Sequence, residues 1–312
     1  MMIVYTDHPE YAETLFTDRL EWRRQETSDL EPKLVPLIQG LNPGGPHFMA
    51  SQQIAGNWTQ ASIIRHAPSS QFDLLVKLNQ KGLRPPDRIL CLAGAGSHFH
   101  GQKGRPWAAV EGNIHLTLHF APDLKIEHFH VGFLILAAVS LLETIDTIKE
   151  LSGRAAIKWV NDVLINRAKV AGFIVHTSSM EDKVTAAVVG IGLNVEKTPQ
   201  VQRDIFVPDI ASLRSFVTNP KGMNRKIVLW ALLDHLDKNY NLLLSGQYSR
   251  LLDIYRNRSL VTGRKVKVLA DEPEGQEQEI ASGRVISIGE NLELYLDHIE
   301  KPVTKGRLIL KD

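Results

Sequence analysis

The chain has a single cysteine, Cys91, so it can form no intrachain disulfide and no cysteine-based zinc site. Charge of one sign is missing too. Lys and Arg total 36 against 35 Asp and Glu, a net charge of +1, which gives no electrostatic case for nucleic acid or a membrane surface. Long apolar runs are absent: the most apolar window, Val131 to Leu142, falls short of the roughly 20 residues that cross a bilayer. Met1 to Tyr5 is too short to be the apolar part of a secretory leader and soon meets Asp7. Residues 1–60 carry no helix-turn-helix pattern, so a DNA-reading domain is not expected there. These absences predict a cytoplasmic protein with neither DNA nor membrane as partner. What remains is ordinary globular composition, 43% hydrophobic and 23% charged over 312 residues, with room for a large core and about two domains.

The most informative stretch is Ile157-Lys158-Trp159-Val160-Asn161-Asp162-Val163, followed by Leu164 to His176. Alternation in Val163-Leu164-Ile165 and from Val170 to Val175 predicts two strands, with Asn166-Arg167-Ala168-Lys169 as the hairpin turn. Lys158, Asn161 and Asp162 stand in close order, and such groups are costly to bury unless paired or used. A surface Lys–Asp pair worth little would explain them equally well.

Ser62 to His66 reads as a strand, Ala67-Pro68-Ser69-Ser70-Gln71 as a turn, and Phe72 to Leu78 as a helix that Ser69 or Ser70 would cap. Arg88 to Leu92 is a short strand, in which Cys91 reads as a small buried hydrophobe. A glycine-rich loop from Ala93 to Trp107 follows. It is not a dinucleotide fingerprint, because Phe99 stands where the third glycine would be, and it lacks the Gly-Lys-Ser/Thr ending of a Walker loop. Its glycines allow close backbone approach to a ligand. Lys103 and Arg105 can neutralise phosphate, and Trp107 offers an aromatic face. A flexible surface loop with its tryptophan tucked into the core is the competing reading. His98 and His100 place no third metal ligand by spacing.

Gly112 to Phe120 and Thr185 to Val195 read as core strands, Val131 to Leu151 as a buried helix, and Asn224 to Arg256 as two helices. From about Ser259 four short alternating strands follow, with the acidic run Asp271 to Glu279 as a solvated hairpin tip.

The segment KWVNDV…KVAG resembles the KWPNDV…KxAG signature of biotin protein ligases, with Val160 in place of the proline. Ser69-Ser70-Gln71 is similar to that family's D-S-T-N turn, with Pro68 at the aspartate position, and Gly190 to Val195 to its GIGLNV strand. The loop resembles its GRGRxGRxW segment at Gly101, Gly104, Arg105 and Trp107, while Phe99, His100 and Gln102 replace a glycine and two arginines. The C-terminal strands resemble its SH3-like barrel. The fold implied is α+β: a class II aminoacyl-tRNA synthetase-like mixed sheet flanked by helices, plus a C-terminal SH3-like β-barrel. The division implied is an extension of unknown role at 1–60, a biotin/lipoate ligase catalytic domain at 61–258, and the barrel at 259–312.

The activity implied is ATP-dependent formation of biotinyl-5′-AMP and transfer of biotin to a lysine of a biotin carboxyl carrier domain, by a monomer or homodimer. In that reading Lys158 is catalytic. Ser69, Ser70, Gln71, Ser97, His100, Gly101, Gln102, Gly104, Arg105, Gly172 and Gly190 bind biotin. Lys103, Arg105, Trp107, Asn161 and Asn194 bind the nucleotide, and Asp162 helps hold Mg2+. Gly94 to His100 with Gly112-Asn113 is also similar to the GGGAVxHD…GN loop of lipoate ligases, the alternative substrate class. A non-catalytic biotin-binding relative is the third reading.

Overall fold

The computed structural model describes residues 1–16, 19–54, 56–201, 205–206, 209–220, 223–270 and 278–311. Its centre is a ten-stranded mixed sheet built from β1 (Met2–Thr6), β2 (Arg23–Gln25), β3 (His47–Gln52), β4 (Gln60–Ala67), β5 (Ile89–Gly96), β6 (Ile114–Phe120), β7 (Ala155–Lys158), β8 (Asp162–Ile165), β9 (Ala168–Met180) and β10 (Lys183–Leu193). The strand order is β2-β3-β1-β4-β5-β6-β10-β9-β8-β7.

Each face of the sheet carries its own apolar layer. On one side α4 (Phe129–Asp146) and α5 (Arg225–Leu244) cover Leu90, Leu92, Leu116, Val189 and Ile191. On the other, α2 (Val35–Leu41) and α3 (Gln71–Gln80) cover Ile64, Ile89, Cys91, Ala93 and Val188. α4 is apolar on nearly every side because it is enclosed. It is long and apolar enough to cross a membrane by length and composition, yet 72% of it is buried within the protein. It runs 18 residues, longer than the apolar window read from the sequence.

Two local features depart from the sequence reading. β5 continues through Gly96, where a loop was expected from Ala93, because it pairs in parallel with β4 as far as Ala67 and Gly96. The small residues there admit neighbours: a Cβ on Gly94 would strike the Tyr11 hydroxyl, and one on Gly96 the Phe99 ring. The β8–β9 turn is tighter than expected, formed by Asn166 and Arg167 alone, both at positive φ (49° and 72°).

Residues 1–60 build into the sheet. β1 lies between β3, antiparallel, and β4, parallel. α1 (Pro9–Glu13) and its neighbours then meet α5: Arg225 donates to the Tyr11 hydroxyl, Trp230 to the Leu15 carbonyl and Lys226 to the Phe16 carbonyl.

After α6 (Tyr248–Asn257) come β11 (Lys265–Leu269), β12 (Glu279–Ile288), β13 (Leu294–Leu296) and β14 (Arg307–Leu310), an antiparallel sheet of order β13-β12-β11-β14, as an SH3-like domain requires. Its apolar side chains Val266, Val268, Val285 and Leu294 are buried. Asp271 to Glu277, most of the expected acidic hairpin tip, lies outside the described residues. This small sheet is bound to β7 and its flank. Trp159 Nε1 donates to the Leu292 carbonyl at 2.7 Å, Arg256 Nε to the Ile288 carbonyl at 2.8 Å, and Leu260 N to the Ile157 carbonyl at 2.8 Å.

Candidate active site

Strand register places the signature residues in one lateral row. Lys158 pairs with Asp162, Asp162 with Gly172, Gly172 with Gly192, Gly192 with His115, and His115 with Ala93. Residues directly opposite one another on neighbouring strands share a face of the sheet. The row therefore presents a cation, a carboxylate, two glycines and an imidazole on the face that α3 covers. Gly190, two residues before Gly192, lies on the same face, where a Cβ would come 3.2 Å from the Phe72 ring.

The Trp107 ring covers the glycines. A Cβ on Gly192 would collide with it, and one on Gly172 would lie 3.5 Å from it. Two further groups hold the indole: Nε1 donates to His115 Nδ1 at 3.2 Å, and Lys169 Nζ sits 5.6 Å from a ring centroid. Lys169 is in turn paired with Asp162 at 2.7 Å, both side chains less than one-fifth exposed. Burial pushes His115 down to about 4, so its ring is neutral, which suits acceptance at Nδ1 and donation from Nε2 to the Val110 carbonyl.

The loop is ordered as a small hairpin. His100 bridges Pro106, Trp107 N donates to the Phe99 carbonyl at 2.9 Å, and Gly101 N donates to the Arg105 carbonyl at 2.7 Å. Lys103 and Gly104 turn it with φ of 58° and 71°. Phe99, at the position of a family glycine, lies over Gly96 and meets the His115 ring at 6.0 Å. Lys103, Gly104 and Ser97 are exposed; Gln102 and Arg105 are half-buried, and Arg105 Nε donates to the Gln102 carbonyl at 2.9 Å.

His100 spends both ring nitrogens within the protein. Nδ1 lies 2.9 Å from the Gly101 carbonyl and Nε2 2.9 Å from each Asp73 oxygen. A carbonyl and a carboxylate only accept, so both nitrogens donate and the ring is an imidazolium. The Gly101 carbonyl, then Asp73, raise its pKa against the opposing effect of burial.

At the start of α3, Ser70 is buried and its hydroxyl accepts from Asp73 N at 3.3 Å, the capping role read from the sequence. Ser69 is exposed. Gln71 is 1% exposed, and neither its Oε1 nor its Nε2 has a hydrogen-bond partner among the described residues. An unpaired buried amide is expensive, and it is the strongest sign here of a polar ligand.

Lys158 is buried, and its Nζ donates to the Phe206 carbonyl. Asn161 is engaged with β9, donating to the Phe173 carbonyl at 2.7 Å. Asn194 is 1% exposed, donates to Ala211 O and accepts from Asn113. Among the described residues no group of three or more His, Cys, Asp or Glu side chains could hold a metal. Asp162, the expected magnesium ligand, is committed to Lys169.

Sequence reading passed over Asp73, His115 as the anchor of Trp107, and Lys169. Lys169 stood inside the KVAG segment without a role, and nothing in the sequence showed that Asp73 faces the loop. A cleft of about 750 Å3 elsewhere, between α6 and the small sheet, is lined by Arg256, Ser287, Glu290 and Tyr295 and by none of these residues.

The profile of the biotin/lipoate A/B protein ligase family matches residues 73–194. The chain is 28% identical over 184 residues to the bifunctional ligase/repressor BirA of Bacillus subtilis, covering 58% of this chain and 55% of that protein. It is 28% identical over 226 residues to a biotin–[acetyl-CoA-carboxylase] ligase of Mycobacterium tuberculosis, covering 70% of this chain and 77% of that one. The chain thus spans about half the length of the Bacillus relatives and three quarters of the mycobacterial one. Among solved structures, the biotin protein ligase of Aquifex aeolicus in complex with biotin and ATP shares the fold, with a TM-score of 0.60 and 20% identity over 80% of this chain and 98% of that one. With the glycine row and the loop, these matches show a chain similar to the biotin protein ligases, with residues 73–194 matching the biotin/lipoate A/B protein ligase family.

Proposed function

We propose that the chain is an ATP-dependent biotin–protein ligase. The observation that carries this reading is the row Lys158–Asp162–Gly172–Gly192–His115, with Trp107 packed on its glycines, together with the unpaired buried amide of Gln71 on the helix that covers that face. The row supplies flat backbone beneath an aromatic ring with a buried cation at its end, as a nucleotide requires. Gln71 supplies a buried donor and acceptor, as the neutral cyclic urea of biotin requires.

In the first step a biotin carboxylate oxygen bonds to the α-phosphorus of ATP, and the bond to the bridging oxygen breaks to release pyrophosphate. Lys158 offsets the negative charge that grows on the α-phosphate, acting from a site already fixed by β7. In the second step a neutral carrier lysine amine attacks the biotinyl carbonyl, AMP leaves with the electron pair of the broken C–O bond, and the nitrogen gives up its extra proton to solvent to leave the amide. Trp107 and the glycine row exclude water from the mixed anhydride between the two steps. In this reading Ser69, Ser70, Ser97, Gly101, Gln102, Gly104 and Arg105 serve biotin, and Lys103, Asn161 and Asn194 serve the nucleotide. Magnesium, when bound, neutralises phosphate charge. The carrier is a biotin carboxyl carrier domain, and the setting is the cytoplasm. Biotin-dependent exchange of pyrophosphate into ATP tests the reading, with lipoate as the competing acid.

A further inference from the structure

The loop meets the body of the protein at one charged contact. His100 places its imidazolium 2.9 Å from both oxygens of Asp73, in the first turn of α3, and its ring stands edge-on to Phe72 with centroids 6.3 Å apart. Phe72 lies beside Gly190, where a Cβ would come 3.2 Å from its ring, and the buried, unpaired Gln71 precedes it on α3, so this contact fastens the loop to the part of α3 assigned to biotin. Nδ1 holds the Gly101 carbonyl at the same time, which fixes the ring to the turn that carries Gln102 to Arg105.

We propose that Asp73 is a positioning residue: through His100 it latches the glycine-rich loop onto α3 over the ligand cleft, and the latch weakens as His100 loses its proton. The charge of His100 is thus spent on the loop and not on the ligand. This deepens the ligase reading and rests on it for the identity of the ligand. The other charged or titratable groups nearby are Lys77 one turn along α3, His98, Lys103 and Arg105 in the loop, and His115 on β6. Among the described residues no ion pair joins any of them to His100, and His115 is neutral. The raised pKa of His100 supports the geometry. A group stabilised in its protonated form holds the latch fully below about pH 6.5 and loses it as pH rises through the higher native value.

Asp73 also sits where any carboxylate favours a helix N-terminus, so the test separates the two roles. The full chain without ligand is treated with trypsin at pH 6.5 and pH 9, and cleavage after the exposed Lys103 is followed by mass spectrometry against wild type at the same pH. The side chains of His100 and Asp73 are 27% and 56% exposed, which sets a modest effect. Asp73→Asn is expected to be cut about 3-fold faster at pH 6.5, the range of partly exposed ion pairs. The gap closes at pH 9, Asp73→Glu restores wild-type cutting, and His100→Arg cuts at one relative rate at both pH values. Equal cutting of Asp73→Asn and wild type at pH 6.5, or a gap unchanged at pH 9, would overturn the latch. Biotin dissociation, about 3-fold faster in Asp73→Asn at pH 6.5, is measured separately. Loss of all biotin binding in wild type would count against the ligase reading while the proteolysis still decides the latch.

Discussion

The Trp107 indole lies so close over Gly192 that the smallest side chain there would overlap it. Gly192 sits on β10 directly opposite Gly172, and its neighbour on the other side is His115, which accepts the indole N–H. One glycine thus sets both the height of the ring and its hydrogen bond. Gly192→Ala is expected to push Trp107 off its shelf at a cost of about 1–3 kcal/mol of overpacking. The KM for ATP should rise about tenfold, or about 1.4 kcal/mol, with the KM for biotin changed less. Steady-state kinetics with each substrate varied separates the two; equal rises would mean that the ring does not serve the nucleotide.

Gln71 carries the opposite signature. Its amide is buried with no hydrogen-bond partner among the described residues. Gln71→Met keeps the volume and removes the unpaired groups. The free protein should gain about 1 kcal/mol in a urea melt, while biotin binds at least ~10-fold more weakly, by calorimetry. A variant that loses stability would show that the amide is satisfied in solution and that Gln71 is structural.

His115 links the site to pH. Burial lowers its pKa from 6.5 to about 4, so the unfolded chain binds the proton first as pH falls. Stability is full above pH 6.5 and declines through the window down to pH 4, by about 3 kcal/mol at most. His115→Gln removes that part of the slope. Urea melts of both proteins at pH 4.5 and 7.5 measure it, and parallel losses would show that the native imidazole titrates normally.

Trp159 is the join between the signature strand and the C-terminal sheet through its bond to Leu292 O. Trp159→Phe keeps a ring but leaves that carbonyl without its donor, at about 1–3 kcal/mol. Hydrogen exchange should quicken in Leu294–Leu296 more than in Ile114–Phe120. Uniform change across both strands would make Trp159 an ordinary core residue.

Much of this was legible in the sequence because it rests on local pattern. The alternation around Val163 and Val170, the cap at Ser70 and the apolar α4 each follow from spacing alone. The row from Lys158 to His115 was not legible as a row, since strand order and register are long-range properties. Ala93 to Gly96 read as loop because glycine disfavours strands, yet pairing with β4 overrides that preference and the missing side chains make room for Tyr11 and Phe99. Residues 1–60 gave no functional pattern, since β1 is specified by what it pairs with. Asp73 drew no reading from the sequence, because its partner is set by where the loop folds.

The central claim is that Lys158 and the row under Trp107 activate biotin with ATP. The most direct test is exchange of labelled pyrophosphate into ATP with Mg2+, biotin and lipoate in parallel, for wild type and Lys158→Ala, with circular dichroism to confirm folding. Exchange that requires biotin, is absent with lipoate and drops at least ~100-fold in folded Lys158→Ala is the predicted result. Exchange driven by lipoate alone, or undiminished in Lys158→Ala, would contradict it.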